Sequence, residues 1–214
     1  MDNVEIKRID YDIAKTWILH KHYAKRLPNM QYMYGCFEDK ILQGVITYGQ
    51  PPSPALVRTI CGEKYFADVL ELNRIAFQNK HKKNILSFFV SQTLKKLPKP
   101  KIIISYADKG QNHNGYIYQA TNFIYTGLSD KGKDKRFKGN LNIHSRSISP
   151  KDRQNKDLFV SVERSRKHRY LYFLGTKRQI KEYKLNLTWD ILPYPKGISL
   201  RYNNNFEMPQ QSTF

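Results

Sequence analysis

The sequence predicts an α/β fold in which a mixed sheet is covered by helices, and three observations carry that prediction. Segments of strand period and of helix period follow one another as strand, helix, hairpin, strand, helix, strand, helix, strand. A β-α-β unit, residues 101–128, stands at the centre of that order. The 214 residues are 40% apolar and 26% charged, which suits one soluble domain with a real core.

Residues 4–9 alternate as an opening strand, and Asp10 or Asp12 caps a helix that runs through Ala14, Trp17, Ile18 and Tyr23 and ends before Pro28. Residues 30–38 and 41–48 read as a hairpin, although its turn, Glu38-Asp39-Lys40, lacks glycine. Pro51-Pro52-Ser53-Pro54 forces a loop. Residues 68–77 form the next strand. Its period of two puts Glu71 and Asn73 on one face and Leu72 and Arg74 on the other. A basic connector, residues 78–83, leads into a helix over 84–96 with Ile85, Phe88, Phe89 and Leu94 as its apolar stripe, stopped by Pro98 and Pro100.

The central unit opens with Ile102-Ile103-Ile104, too short for a helix and rich in β-branched carbon, so it is a buried strand ending in Ser105-Tyr106-Ala107-Asp108. Gly110-Gln111-Asn112 breaks the chain, a helix is expected over 112–121, and residues 123–127 form a further strand. In such a unit ligand chemistry gathers where strand gives way to helix.

Beyond Leu128 the character changes: residues 130–184 hold 17 Lys/Arg against 6 Asp/Glu, and 130–156 have almost no apolar period. A long loop or insertion is expected there. Residues 158–162 form a short strand, 170–174 a better one closed by Gly175, and 193–214 a loosely held tail. The domain reading is therefore 1–175, with a basic insertion over 130–168, followed by a C-terminal basic extension and tail over 176–214.

The balance of 37 Lys+Arg against 18 Asp+Glu gives +19, with an isoelectric point near 9.8. A polyanionic partner is expected. Nucleic acid is favoured over membrane, because the cations interleave with aromatics and form no amphipathic helix. No run of 18 apolar residues exists and the N-terminus lacks the regions of a signal peptide, so a cytoplasmic protein is expected. Cys36 and Cys61 read as reduced thiols with no zinc-ligand spacing.

Polar residues in apolar strands are the candidates for chemistry. Asp108 ends a buried strand and is either a proton acceptor or orienter, or a helix cap. Glu71, Asn73 and Arg74 interrupt one strand. A buried charge must be paired. With Glu71 and Arg74 on opposite faces, at least one should meet a ligand or a distant partner. Arg74 suits a phosphate or carboxylate and Asn73 a base edge. His22 and Tyr23 close the first helix, where a histidine is either functional or a dipole partner. Tyr48, Ser105 and Tyr106 rank second, and Lys82, Lys83 and Asn84 are placed to hold a phosphate-bearing donor or to face nucleic acid. An iron site could be built from His22 and Asp108, but no ligand spacing specifies a metal.

Five segments carry a resemblance to a known family. They are His22-Tyr23-Ala24-Lys25-Arg26-Leu27-Pro28-Asn29; Thr47-Tyr48-Gly49 with its prolines; Leu70-Glu71-Leu72-Asn73-Arg74; Ser105-Tyr106-Ala107-Asp108; and Gly115-Tyr116-Ile117-Tyr118-Gln119-Ala120-Thr121-Asn122-Phe123. In this order they resemble the Mom family of bacteriophage DNA-modification proteins, related to the GNAT acyltransferase superfamily. The resemblance, over roughly residues 4–175, implies a GNAT-like mixed, mainly antiparallel central sheet flanked by helices, with the basic insertion before the last strand. It implies conversion of adenine in double-stranded DNA to N6-carbamoylmethyladenine, protecting phage DNA from restriction in the host cytoplasm. It places Tyr118 where GNAT relatives carry a general acid.

One departure stands out. Many GNAT members hold the coenzyme A pyrophosphate with Gln/Arg-x-x-Gly-x-Gly/Ala before a helix, and Gln78-Asn79-Lys80-His81-Lys82-Lys83-Asn84 has neither glycine. The donor stays open among acyl-CoA, an aminoacyl-tRNA and a glycine-derived species.

Adenine's exocyclic amine is a weak nucleophile whose lone pair is delocalised into the ring, so modification needs a proton acceptor and charge stabilisation on the donor. The base must also leave the duplex. Lys25, Arg26, Arg136, Arg146, Arg166, Lys167 and Arg169 are expected to contact DNA, with Phe137 and His144 as candidate wedges. The competing readings are an acyl-CoA-dependent N-acyltransferase on another substrate and a non-catalytic basic DNA-binding protein.

Overall fold

Seven strands form one sheet and three form a second in the computed structural model of the chain, which describes residues 3–144, 148–197, 199, 200, 206 and 208. In chain order the main sheet takes β1 (Val4–Arg8), β2 (Tyr32–Glu38), β3 (Ile41–Gly49), β4 (Val69–Phe77), β5 (Lys101–Asp108) and β6 (Ile124–Leu128). The second sheet holds β7 (Lys133–Phe137), β8 (Asn140–His144) and β9 (Phe159–Glu163), and β10 (Lys167–Leu174) returns to the first. The spatial order is β1-β2-β3-β4-β5-β10-β6, antiparallel except for the parallel pair β4 and β5. The mixed, mainly antiparallel α/β class is as expected.

The apolar run in β5 is continuous because both of its faces are covered. Ile103 packs in the cluster under α3 (Ile85–Lys96), with Phe89, Val90 and Leu94. Ile102 and Ile104 pack in the cluster under α2 (Pro54–Cys61), with Val57 and Ile60. The first helix, α1 (Tyr11–Lys21), buries Trp17 and Ile18 against β2 and β3 through Phe37, Leu42 and Val45. The hairpin turn does without glycine: Asp39 and Lys40 take φ of 48° and 65°, the pair of positive values a two-residue hairpin needs. The Asn3 amide supports it by donating to Asp39 Oδ1 at 2.8 Å.

Four expectations are corrected or narrowed. The proline run forms the expected loop only as far as Ser53, because Ser53 Oγ accepts from Leu56 N at 3.3 Å and Pro54 begins α2, the Ser-Pro start of a helix. The helix over 112–121 is one turn, α4 (Tyr116–Gln119), preceded by a 3₁₀ turn at Lys109–Gln111. Asn112 (φ 53°) and Gly115 (φ 74°) are left-handed and break it; a Cβ on Gly115 would lie 2.5 Å from the Tyr170 ring.

Of the long loop or insertion expected after Leu128, the insertion alternative describes what is found: the described residues between β6 and β10 form the three-stranded sheet and a short helix, α5 (Pro150–Arg153). β7 reads Lys-Asp-Lys-Arg-Phe, charged on both faces, so no apolar period betrays it. Several of the described residues from 176 onward pack on the fold. Thr176 and Gln179 form a capping box for α6 (Lys177–Leu185), whose buried Tyr183 donates to Asp68 Oδ2 at 2.8 Å. Leu192 N donates to Tyr125 O, and Tyr194 Oη donates to Phe123 O at 2.7 Å. The expected loose tail is therefore tied down at its described residues as far as Leu200, whose N donates to Asn112 O at 3.0 Å.

Candidate active site

Strands β4 and β5 pair only from Val69↔Ile102 to Leu72↔Ser105. Past that point β4 stays with β3 and β5 stays with β10, so the sheet opens between them. Ser105 Oγ donates to Leu72 O at 2.8 Å and closes the last rung. Opposite β3 the register jumps from Thr47↔Arg74 to Tyr48↔Leu72, which leaves Asn73 as an extra, bulged residue.

That bulge overturns the alternation expected for β4. One inserted residue reverses the faces after it. Glu71 and Arg74 consequently line one cleft and act on each other electrostatically, instead of pointing apart. Asn73 lines the cleft with both ends of its amide already engaged once. Its Oδ1 accepts from Thr47 Oγ1 at 2.5 Å and its Nδ2 donates to Asn29 O at 2.7 Å. Asn73→Ala is therefore expected to cost about 1–3 kcal/mol by stranding those partners. Urea denaturation checks this, and a loss under roughly 0.5 kcal/mol would show that the amide does not hold the bulge.

The cleft holds about 460 Å³ and gathers polar residues from stretches far apart in the chain. Glu71 sits where burial pushes its carboxyl up to about 7, against the opposing pull of Arg74 and Lys167. The Arg74 guanidinium is fixed on backbone oxygens, Nη1 donating to Asn73 O at 2.6 Å and Nη2 to Arg26 O at 3.3 Å. Tyr118 is buried, and desolvation lifts its hydroxyl to about 12 while a hydrogen bond to Ser105 opposes the rise. It therefore keeps its proton at neutral pH.

Asp108 lines the cleft and also caps the 3₁₀ turn, its Oδ1 accepting from Gly110 N at 2.9 Å and Ser165 Oγ at 2.6 Å. Asp108 thus caps the turn after β5 and also stands at the cleft. His22 and Tyr23 form the wall at the end of α1, with rings 4.4 Å apart, and Tyr23 meets His113 edge-on at 6.1 Å. Burial raises the Tyr23 hydroxyl, as does the neighbouring Asp108 charge. The sequence reading missed His113, which follows the break after β5. It also missed Ser199 and Leu200, which line the same cleft and lie in a stretch with no periodic signal.

Of the other expected site residues, Tyr106, Lys167 and Asn84 line the cleft. Lys82 pairs with Glu38 and Lys83 is exposed on the connector. Tyr48 is a core residue, its hydroxyl 2.7 Å from Thr93 Oγ1. Lys25 and Arg26 are exposed beside the cleft wall. Arg136 pairs with Asp134 at 3.3 Å. Arg146 lies outside the described residues, as does the side chain of His144. Phe137 packs on Phe159, with rings 6.4 Å apart, and is half-buried rather than a free wedge.

Two of the arginines expected on DNA are engaged within the fold. Arg166 Nε donates to Ser129 O at 2.7 Å and so ties β10 to the end of β6. Arg169 is buried, donates to Thr126 Oγ1 and O at 3.0 and 2.8 Å, and lies 3.4 Å over the Trp189 ring. Between β6 and β10 the exposed cations include Lys131, Lys133, Lys135 and Lys138 on and around β7, with Lys151, Arg153, Lys156 and Arg164.

Residues 78–84 do not build a glycine cradle for a pyrophosphate. Gln78 N is already bonded to Gln43 O at 2.8 Å, the His81 ring lies edge-on to Phe77 at 5.4 Å, and no glycine exposes backbone there. Coenzyme A therefore lacks its usual phosphate seat in this chain. Among the described residues no group of three or more His, Cys, Asp or Glu is arranged to hold a metal ion, and no helix is long and apolar enough to cross a membrane.

A profile of the Mom protein family matches residues 3–196. The methylcarbamoylase mom of Escherichia phage Mu is 28% identical over 205 residues, spanning 90% of this chain and 84% of that protein. Among solved structures, yncA, a putative acetyltransferase from Salmonella typhimurium with its cofactor acetyl-CoA, superposes with a TM-score of 0.48 at 10% identity. The match covers 81% of this chain and 95% of that one. An N-acetyltransferase from Staphylococcus aureus Mu50 gives a TM-score of 0.47 at 12% identity, over 80% and 98%.

Proposed function

The chain belongs to the Mom protein family, and from that premise we propose that it is a transferase modifying the N6 amine of adenine in double-stranded DNA, by a carbamoylmethylation-type reaction on an extruded base. The observation that carries this reading is the cleft where β4 and β5 part. It brings Glu71, Arg74, Asp108 and Tyr118 together, and Asp108 is bonded to Ser165, two residues past the end of the basic accessory sheet.

The roles follow from chemistry. A carboxylate that titrates near 7 is matched to taking a proton from the amine as the new N–C bond forms. Arg74, a cation fixed by backbone carbonyls, stabilises negative charge developing on the donor. Tyr118 holds a proton that it can give to the departing group. Asp108 orients the loop between β5 and α4 that forms one wall.

The far end of the cleft, with Gln78, Asn79, His81 and Asn84, is the donor side. Its polar side chains suit a donor held by its amide or phosphate groups, whether acyl-CoA, an aminoacyl-tRNA or a glycine-derived species. Protection of phage DNA from restriction in the host cytoplasm is the biological role this reading assigns.

Mass spectrometry of nucleosides from plasmid DNA tests it. Cells expressing the wild-type chain should yield a modified deoxyadenosine that is absent with Asp108→Ala, with circular dichroism confirming that the variant folds. Unmodified nucleosides together with acylation of another amine would place the chain among acyltransferases of a different substrate. DNA retention without any modification would leave a binding protein.

A further inference from the structure

His22 is more than nine-tenths buried and lines the cleft, yet among the described residues only one of its two ring nitrogens is engaged. It is the first residue past α1, with extended backbone (φ −82°, ψ 136°), and its own N–H donates to Ile18 O at 3.3 Å. The ring lies back over the following turn, where the Ala24 N–H donates to Nδ1 at 3.1 Å. An N–H can donate only to a nitrogen that carries a lone pair, so Nδ1 is unprotonated. The doubly protonated cation would lose that bond, and the neutral ring that keeps it carries its proton on Nε2.

The surroundings push the same way. Burial disfavours the cation, and the groups that act on the ring from neighbouring elements, Arg74, His113 and Lys167, all oppose a further positive charge. Nε2–H finds no partner among the described residues, although the ring stands in a cleft that also holds Glu71 and Asp108.

We propose that His22 is a fixed hydrogen-bond donor that recognises the ring nitrogen beside the reacting amine, and that with a carboxylate of the same cleft it selects adenine. This rests on the reading above. Adenine presents an amine flanked by two lone-pair nitrogens, N1 and N7. A carboxylate accepts from the amine while His22 Nε2–H donates to one of those nitrogens. Guanine and thymine put a carbonyl oxygen where the amine would be, facing an ionised carboxylate with no proton between them, and their Watson–Crick ring nitrogen carries a proton that meets Nε2–H instead of a lone pair. Cytosine repeats adenine's amine-and-acceptor edge on a smaller ring, so the pair separates amino bases from keto bases and the cleft's dimensions do the rest.

Two measurements test this. Nitrogen-15 spectra of the full-length wild type should show His22 as the Nε2–H tautomer from about pH 8 to about pH 5; a ring protonated on Nδ1, or one titrating near 6.5, overturns the proposal. Binding of short oligodeoxyadenylates, read by fluorescence anisotropy, should weaken about tenfold when one of the two nitrogens is replaced by carbon, as 1-deaza- or 7-deaza-adenine. His22→Phe, which keeps the ring packing, should abolish that difference, and His22→Gln, whose amide nitrogen stands in for Nε2, should keep it.

In cells His22→Gln should retain adenine modification while His22→Phe loses it. Equal loss in both folded variants, with the wild type active, would make His22 a proton acceptor and overturn the proposal. Absence of adenine modification with the wild type would defeat the DNA-modification reading itself, and the nitrogen spectra would still decide the tautomer.

Discussion

Glu71→Gln is expected to lower adenine modification by about 10²–10⁴-fold while making the folded protein more stable above neutral pH. The first effect is the loss of the proton acceptor; glutamine keeps the shape and one acceptor oxygen but cannot take up the amine proton. The second follows from linkage. Burial raises this carboxyl from 4.5 in the unfolded chain to about 7 in the folded one. Between those values the folded state holds a proton that the unfolded state has released, so stability falls as pH rises through the interval and the whole penalty is present above 7.

At 1.36 kcal/mol per unit that penalty is roughly 2–3 kcal/mol after allowance for partial exposure. Glutamine does not incur it. Urea denaturation of both proteins at about pH 5 and about pH 8 should give similar stabilities at the lower value and a more stable variant at the higher. Wild-type modification rate should rise with pH through about 7. A variant destabilised at both pH values would mean that the carboxyl is held in place by hydrogen bonds rather than strained by burial.

The same strand shows what can be read from sequence and what cannot. Polar residues inside an apolar strand do point to the cleft that Glu71 and Arg74 line, because burying such groups away from partners is costly. Their arrangement was illegible: strict alternation assigns them to opposite faces, and only pairing with β3 shows that Asn73 is an extra residue. A bulge leaves no signature in one strand, since it is a property of two. The β5 isoleucines were readable because both faces are covered, which turns alternation into a run.

Ser53-Pro54 was misread because the same residues punctuate loops and start helices, and only the residues after them decide between the two. Arginines defeat sequence reading most directly. Arg169 and Lys133 look alike in a basic stretch, but one is buried on Trp189 and the other faces water.

That difference sets the last expectation. Affinity for double-stranded DNA should fall about 10³–10⁵-fold between 50 and 200 mM salt if six to ten cations meet phosphates. The cations placed to do so are on the accessory sheet, where the side chains along β7 alternate. Lys133 and Lys135 are exposed, whereas Asp134 and Arg136 pair with each other on the more buried face.

Charge reversal of Lys133, Lys135 and Lys138 should therefore reduce the salt slope by about three, one for each phosphate no longer neutralised, and should leave thermal stability nearly unchanged. Arg169→Ala should do the opposite. Its guanidinium closes hydrogen bonds to Thr126 and stacks on an indole, so its removal should destabilise the fold by about 2 kcal/mol without altering the slope. An unchanged slope in the triple lysine variant, measured by anisotropy across a salt series, would move the DNA surface off the accessory sheet. The exposed Lys25 and Arg26 beside the cleft would then be the cations to test.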